Sequence, residues 1–258
     1  MLARSEKVEK FRALHRPGAP LVMPNIWSAG TAKAIAQAGF DAIATTSGGL
    51  ALEHGVRDGE MGRQASLEVA TSICAAVDIP VSADLENGFH DDPAECGRLM
   101  EAAIRAGLAG ASIEDASGCK DRPIYPFEHA VERVRQSVAA ARSAGGLVVT
   151  ARAENFLHGR LDLEDTIARL KAFEAAGADV LFAPGLPDLE AIRAVCAAVS
   201  RPVSVIVYPA AASATARAAA DAGVARISLA GSLARLAHEA IVNGAEAVRS
   251  DLAGGHTS

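Results

Sequence analysis

Ala106-Gly107-Leu108-Ala109-Gly110-Ala111-Ser112-Ile113-Glu114-Asp115 is the stretch on which the architecture turns. It reads as the end of a helix, a glycine, and a strand. Glycine suits this junction because it takes the left-handed backbone conformation that closes a helix. The same pattern returns at Ala38-Gly39-Phe40-Asp41, Ala176-Gly177-Ala178-Asp179 and Ala222-Gly223-Val224-Ala225. Other junctions use Ile79-Pro80, Gly145-Gly146 or Arg201-Pro202. Working outward, strands are expected at 21–27, 42–47, 81–86, 111–115, 147–155, 180–184, 203–208 and 226–230, each rich in Val, Ile, Leu or Ala and bounded by Gly, Pro or polar residues. Helical runs fall at 66–77, 93–106, 126–144, 163–176 and 189–199. Asp92-Pro93 pairs a capping side chain with a first-turn proline, and Ser66 offers the same cap chemistry. Eight β/α units in 258 residues predict an α/β fold, a (β/α)8 TIM barrel. An open doubly wound sheet would begin with a Gly-rich turn, and Asn25-Ile26-Trp27-Ser28-Ala29-Gly30 lacks the G-x-G-x-x-G pattern. Residues 1–258 read as one barrel domain, with an extra leading helix in the first 18 or so residues and a short flexible tail at 254–258.

Composition removes several function classes. Half the residues are hydrophobic and 22% are charged, which excludes disorder as the main state. Only 4% are aromatic, so the core must be built from small side chains. A net charge of -6 with no long basic run argues against a nucleic-acid partner. No run of roughly 18 apolar residues occurs, and the first ten residues mix both charge signs without the apolar stretch of a signal peptide. A cytoplasmic protein with no membrane partner is expected. Cys74, Cys96, Cys119 and Cys196 are scattered, which fits neither a disulfide scaffold nor a zinc site. The first, second and fourth sit in apolar helical patterns, while Cys119 lies in a polar loop.

Barrels of this kind carry their chemistry at the C-terminal ends of the strands. Two-residue alternation shows which side chains share a face there. In 81–86, Val81, Ala83 and Leu85 oppose Ser82, Asp84 and Glu86. In 111–115, Ala111 and Ile113 oppose Ser112 and Glu114. In 147–155, Val149, Ala151 and Ala153 oppose Thr150, Arg152 and Glu154. Four carboxylates and one guanidinium therefore converge at one end. Gathering like charges is costly without a cation, and acids from neighbouring strands suit Mg2+ held partly through waters, with Mn2+ as the alternative ion. A satisfied salt-bridge network is the competing reading, but one arginine cannot neutralise four acids. Arg152 is suited to grip a substrate carboxylate bidentately.

The second strand ends Thr45-Thr46-Ser47-Gly48-Gly49, where a hydroxyl and free N–H groups make an anion cradle. Asp58 follows in the Gly-rich segment 55–59, where it would otherwise be an ordinary turn residue. Trp27, the only tryptophan, ends the first strand and either walls the pocket or packs in the core. Ala230-Gly231-Ser232, opening the last helix, could hold a phosphate or simply cap that helix. None of the lysines lies on a strand, which disfavours a Schiff-base aldolase.

Ser47-Gly48, Asp58-Gly59, the run 82–89, Ile113-Glu114-Asp115 and Ala151-Arg152-Ala153-Glu154-Asn155 together resemble the isocitrate lyase / phosphoenolpyruvate mutase superfamily, over most of the chain from about Pro24. The resemblance implies a barrel whose eighth helix is swapped between the subunits of a dimer, with dimers pairing into a homotetramer. It implies Mg2+ and a small 2-oxo or 2-hydroxy carboxylate, with cleavage or formation of a C–C or P–C bond beside an enolate-like centre. By position, Asp84 resembles the direct metal ligand, and Glu86 and Glu114 resemble ligands acting through metal-bound water. Ser47, Gly48 and Gly49 resemble the carboxylate cradle, Arg152 the substrate-gripping arginine, and Asp58 the acid beside the reacting centre. Two segments depart from the pattern. Isocitrate and methylisocitrate lyases carry Lys-Arg-Cys-Gly-His after the fourth strand, with the cysteine as acid/base. Here residues 116–125 read Ala116-Ser117-Gly118-Cys119-Lys120-Asp121-Arg122-Pro123-Ile124-Tyr125, with Cys119 the counterpart candidate. The sixth strand ends Phe182-Ala183-Pro184, where mutase relatives place a histidine. The expectation is a Mg2+-dependent carbon–carbon lyase acting on a small 2-oxo or 2-hydroxy dicarboxylate. A phosphonopyruvate-type mutase or hydrolase and a non-catalytic 2-oxoacid-binding relative are the alternatives. The segment 118–125 is a candidate lid, with Lys120 and Arg122 able to reach an anion.

Overall fold

The computed structural model describes residues 2–208 and 212–254. Among them, nine parallel strands form a nearly closed barrel. Helix α1 (Arg4–Ala13) precedes the sheet. The first expected strand is divided at Pro24 into β1 (Leu21–Met23) and β2 (Asn25–Ile26). The two halves have different neighbours: β1 pairs with the last strand through Leu21↔Arg226 and Met23↔Ser228, and β2 pairs with the next through Ile26↔Thr45. The nine strands thus fill eight barrel positions, and the split strand joins the two edges of the sheet.

The remaining order is α2 (Ala29–Gln37), β3 (Ile43–Thr45), α3 (Ser47–His54), α4 (Gly62–Ala76), β4 (Val81–Asp84), α5 (Pro93–Arg105), β5 (Gly110–Glu114), α6 (Phe127–Ser143) and β6 (Val148–Arg152). A 3-10 turn at Asn155–His158 leads to α7 (Leu163–Ala175), β7 (Val180–Phe182), α8 (Leu189–Ala198), β8 (Val203–Ile206), α9 (Ala212–Asp221), β9 (Arg226–Ser228) and α10 (Ser232–Gly254). The expected strands are present but end early. The 81–86 strand stops at Asp84, and Glu86 stands beyond it with φ 49°. The 147–155 strand stops at Arg152 and turns into the 3-10 segment. The Asp92 cap forms as expected, its side chain accepting from Ala94 N–H at 2.9 Å. Ser66 does not cap a helix. It lies inside α4, where its hydroxyl donates to the Gly62 carbonyl at 3.0 Å, because the helix begins a turn earlier than the apolar pattern. Of the expected tail at 254–258, Gly254 ends α10 and the remaining residues lie outside the described ones.

Alternation sends one strand face to the helices. Val81, Ala83, Ala111, Ile113, Val149 and Ala151 are all nearly sealed from solvent and share one cluster with Leu99, Met100, Val134 and Phe173. Helix α5 shows how this works locally: Cys96, Leu99, Met100 and Ala103 fall at helical spacing and are all buried. Smaller strand residues close the bottom of the barrel, and α1 plugs them by packing Val8 and Phe11 on Ala42, Ala109, Val148 and Val180. Gly110 makes room for the plug, since a Cβ there would stand 2.5 Å from a Phe11 ring carbon.

Beneath the site lies a polar layer. His15 Nδ1 meets the Phe11 carbonyl at 2.8 Å. Arg226 donates to Ser204 Oγ and Thr150 Oγ1, both at 3.0 Å, and stands 3.5 Å from His15 Nε2. Burial, then the Arg226 charge, pushes the His15 imidazole down to about 3. At the other end of the chain, α10 leaves the barrel body, exposing Ile241 (69%), Val248 (66%) and Leu252 (72%). No helix among the described residues is long and apolar enough to cross a membrane.

His15 is neutral when folded and titrates near 6.5 when exposed. The unfolded chain therefore takes up its proton first as the pH falls. The associated stability is complete above 6.5 and is lost toward 3, at up to about 1.4 kcal/mol per pH unit. His15→Gln should flatten the fall in the urea midpoint between pH 6.5 and 4 relative to the parent. Parallel pH profiles for the two proteins would show that His15 is not the acid-sensitive group.

Candidate active site

The anion cradle is a helix start. Thr46 is the N-cap of α3, its Oγ1 accepting from Gly49 N–H at 3.4 Å, so Ser47, Gly48 and Gly49 occupy the first turn. First-turn N–H groups lack helical partners and carry the positive end of the helix dipole. The expectation read this segment as the end of the second strand. The missed signal was a Thr cap, the apolar Leu50, Ala51 and Leu52, and then Gly55, which closes the helix at φ 66°. Gly48 faces Asp58: a Cβ on it would stand 3.3 Å from Asp58 Oδ2. Gly49 is hemmed in by Thr46, Ala234 and Trp27: a Cβ on it would stand 3.6 Å from the Trp27 Cβ. Trp27 therefore packs behind the cradle.

Arg152 is the hub of the acid cluster. Its Nη1 lies 2.8 Å from Asp84 Oδ1, its Nη2 3.2 Å from Glu114 Oε2 and its Nε 2.8 Å from Glu154 Oε1. Asp84 is further held by Ser112 Oγ (3.3 Å), Ser47 Oγ (3.4 Å) and the Glu86 N–H (3.3 Å). Burial opposes ionisation of Asp84, but Arg152 and these donors hold it below the ordinary carboxylate range. Glu86 has no such donors, and the Arg152 charge that favours its ionised form is outweighed. Burial, then the charges of Asp84 and Asp58, pushes it up to about 7. Burial also raises Glu114, with Glu154, Asp84 and Glu86 adding to the effect against Arg152. The cluster thus holds more negative charge than Arg152 can neutralise. Among the described residues, no group of three or more Asp, Glu, His or Cys side chains is gathered closely enough to enclose an ion directly.

Two buried arginines outside the expected set hold the loops. Arg169 Nη1 donates to Asp115 Oδ2 (3.1 Å) and the Tyr125 carbonyl (3.0 Å), and its Nε donates to Asp165 at 2.7 Å. Asp115 Oδ1 in turn accepts the Glu154 N–H at 2.8 Å, fixing the exit of β6. Burial raises the Asp115 carboxyl to about 6. Arg133 donates to the carbonyls of Asn87, His90 and Asp91 and lies over the Tyr125 ring, which fastens the loop after Glu86. The sequence did carry a signal for both. Arg133 falls on the buried stripe Ala130, Val134, Ser137 and Ala141, and Arg169 on that of Thr166, Leu170 and Phe173.

A cavity of about 230 Å³ opens at the C-terminal ends of the strands, and Ser47, Gly48, Asp58, Asp84 and Arg152 line it. Gly49, Glu86, Glu114 and Trp27 stand behind or beside that wall rather than on it. Cys119 is exposed and also outside the lining, in a flap whose base is the Ala116↔Ile124 bridge. Lys120 and Arg122 lie on the same flap. Across the cavity stand residues that were not expected, among them Phe182, Tyr208, Arg226 and Arg235. The Phe182 ring lies 5.4 Å from the Arg152 guanidinium carbon and 5.9 Å from that of Arg226.

A family model described as phosphoenolpyruvate phosphomutase matches residues 11–249. A solved structure from Burkholderia cenocepacia J2315, described as a lyase/mutase, is 47% identical, with a TM-score of 0.91 over 96% of this chain and 90% of that one. A 2,3-dimethylmalate lyase is 28% identical, with a TM-score of 0.85 over 97% of this chain and 89% of its own. The 2-methylisocitrate lyase of Escherichia coli K12 is 31% identical over 203 residues, 75% of this chain and 67% of that enzyme.

Asp115→Ala should strand Arg169 in the interior and release the Glu154 N–H. The expected loss is about 3 kcal/mol in urea denaturation. Asp115→Ala with Arg169→Met should recover much of that loss. Equal instability of the single and double variants would remove the ion pair as the cause.

Proposed function

We propose that this chain, which belongs to the isocitrate lyase / phosphoenolpyruvate mutase superfamily, is a Mg2+-dependent lyase that breaks a carbon–carbon bond in a small 2-oxo or 2-hydroxy dicarboxylate. The carrying observation is the surplus of carboxylates around Arg152, facing the N-terminus of α3 across one cavity. The donor set fits the ion. It consists of hard oxygens, and Glu86 in particular is raised to about 7 with no cation of its own. Asp84, on the cavity wall, would ligate directly. Glu86 and Glu114, set back from it, would act through bound waters, which agrees with the lack of a closed three-carboxylate cage. Mn2+ would suit the same oxygens.

When bound, the metal would supply the positive charge that stabilises the electron pair left on the 2-oxo acid as the bond breaks. The chain's own groups do the rest. Ser47 and the Gly48 N–H take the carboxylate at a helix start, where anions are favoured, while the Gly49 N–H is held by the Thr46 cap and supports the turn from behind. Arg152, held by its acids, orients that carboxylate and balances its charge. Asp58 lines the wall beside Gly48 and would exchange a proton with the reacting carbon or hydroxyl. Cys119, exposed on its flap, is assigned no step.

Helix α10 carries the assembly part of the proposal. The exposed apolar side chains Ile241, Val248 and Leu252 fall on one helical face. A second copy, exchanging this helix, would cover them, and dimers pairing in turn would give a homotetramer.

Two measurements test these readings. Asp84→Ala should lower Mg2+-dependent release of a 2-oxo acid by at least about 10³-fold, with circular dichroism unchanged, across malate-like and citrate-like substrates. Turnover of phosphonopyruvate alone would shift the reading to P–C chemistry. Oxalate raising the Tm without any turnover would favour a binding protein. Ile241→Glu with Val248→Glu should reduce the mass found by light scattering to that of a monomer. An unchanged mass would place the interface elsewhere.

A further inference from the structure

Arg133 is the largest side chain sealed from solvent among the described residues, at 1% exposure. It is a cation on a stripe of α6 whose other members include Ala130, Val134, Ser137 and Ala141. Burying a guanidinium is costly unless its hydrogen bonds are made. Those of Arg133 all go to one segment of chain. Its Nη1 donates to the carbonyls of His90 (2.8 Å) and Asp91 (2.7 Å), and its Nη2 donates to that of Asn87. Its Nε, also buried, finds no acceptor. Tyr125 covers the group, with its ring centre 4.3 Å from the guanidinium carbon and its hydroxyl donating to Asp91 Oδ1 at 2.5 Å. Arg133 takes no part in the cavity wall, so it can act on the site only through this segment.

The segment is the continuation of Glu86. Both Glu86, φ 49°, and Phe89, φ 60°, hold left-handed backbones, which are uncommon for residues with a Cβ. The Gly88 N–H closes the turn on the Leu85 carbonyl at 2.9 Å, and the Glu86 carbonyl accepts the Glu114 N–H at 3.0 Å. A Cβ on Gly88 would stand 3.0 Å from Ile113 Cδ1 and 3.1 Å from Cys96 Sγ, so the turn is pressed onto β5 and α5 while Arg133 holds it from α6. Two left-handed residues in one turn persist only where the surroundings over-determine them. The outcome is visible at the side chain. Glu86 Oε2 is aimed at the segment 55–59, where a Cβ on Gly59 would stand 3.8 Å from it, and Asp84 and Asp58 are near enough for their charges to act on it. Relaxing residue 86 to a negative φ would turn its Cβ away from these groups.

We infer that Arg133 is a positioning residue for the divalent cation: its grip on the carbonyls of Asn87, His90 and Asp91 holds Glu86 in the left-handed turn from which the carboxylate reaches a metal-bound water. The inference rests on the reading that Asp84 and Glu86 serve Mg2+. Until the ion arrives, Asp84 and Asp58 repel Glu86, and a carboxylate on a free loop would swing outward. The clamp keeps it in place beforehand, so the ordering is not charged against binding. A planar fork suits the task, because the carbonyls it holds span four residues and a point charge could not reach them all. Groups that stand behind a metal site in this way commonly change its affinity by about ten- to a hundred-fold.

Titration calorimetry of the full chain with Mg2+ alone tests this as a double-mutant cycle. Arg133→Met, which keeps the bulk and removes the donors, should weaken Mg2+ binding about ten-fold or more. Glu86→Gln should weaken it to a similar degree, and the double variant should bind no more weakly than Glu86→Gln alone. A residue that only stabilised the barrel would lower the urea midpoint and leave the Mg2+ affinity of the folded protein untouched. If Met prevents folding, the cycle is read with Arg133→Lys, which should show a smaller loss that likewise vanishes in the Glu86→Gln background. Parent-like affinity in the Arg133 variant, losses that add in the double variant, or a loss at Arg133 with none at Glu86 would each overturn the inference. A parent that binds no Mg2+ would instead bring down the metal reading, and this one with it.

Discussion

A single guanidinium shared by three strand ends is the constraint around which the molecule is organised. Adjacent strands lie about 4.8 Å apart, so inward side chains at equivalent heights on β4, β5 and β6 cannot avoid one another. The register places them there: Asp84 pairs with Ser112 on one side, and Glu114 pairs with Arg152 on the other. Arg152 bridges all three strands and fixes their ends with charge-assisted hydrogen bonds. It also leaves the cluster negative, because Glu86 and Asp58 add to acids already sharing one cation. A structural salt-bridge network would be expected to balance. This one does not, and the protonation of Glu86 and Glu114 is pushed upward as a result. Such an imbalance marks a site arranged for a further positive charge.

Holding like charges together requires a rigid frame, and the frame is built from ions as well. Asp115 and Arg169 are both almost fully buried; Asp115 holds the chain at Glu154, and Arg169 ties Asp115 to the Tyr125 carbonyl and to Asp165. Arg133 takes three carbonyls of the loop that follows Glu86, whose backbone is itself in the left-handed region. Conformations of this kind persist where the surroundings over-determine them. The opposite end of the barrel is made differently. There α1, with Phe11 and Val8, seals small strand residues by apolar contact, and its Arg4 and Arg12 tie the helix to the Gly145 and Gly146 carbonyls and to Asp179. Stability is thus concentrated at the bottom and electrostatic stress at the top, with the Arg226 layer between them.

Much of this was written in the sequence, and the parts that were not share a physical cause. The Ala-Gly junctions and the two-residue alternation placed Asp84, Glu114 and Arg152 on strands and facing inward, since both signals depend only on local backbone geometry. Alternation does not show where a strand stops. Glu86 and Glu154 keep the formal rhythm after the backbone has already turned, so they read as strand residues and are loop residues. Pro24 divides a strand that composition reads as continuous, because the division depends on which neighbour each half meets. Ser66 resembled a cap only because the first turn of α4 is polar. Arg226 and Arg235 were invisible for a different reason. A lone arginine in a helix or at a strand start looks like a solvated charge until the fold shows what lies over it.

The charge separation across the cavity has a consequence for orientation. One wall, made by β4, β5 and β6, is acidic and attracts a cation. The other, made by β9 and the starts of α3 and α10, presents N–H groups and guanidiniums that attract anions. The ring of Phe182 lies against both Arg152 and Arg226, within 5.4 and 5.9 Å of their guanidinium carbons, so its π-faces favour both cations while its bulk keeps water from one side of the cavity. In a region of low dielectric the field between such walls is screened weakly. On the proposed reading, a small anion entering with a divalent ion would have one favoured direction of approach, the ion toward Asp84 and free negative charge toward α3 and α10. Reversing it would set carboxylate against carboxylate. The flap at 117–123, exposed and carrying Lys120 and Arg122, adds positive charge to the same protein face as the flap's anchoring bridge. Orientation in this barrel would then be set by the placement of charge before any shape complementarity acts, which would let a cavity lined by so few large side chains be selective.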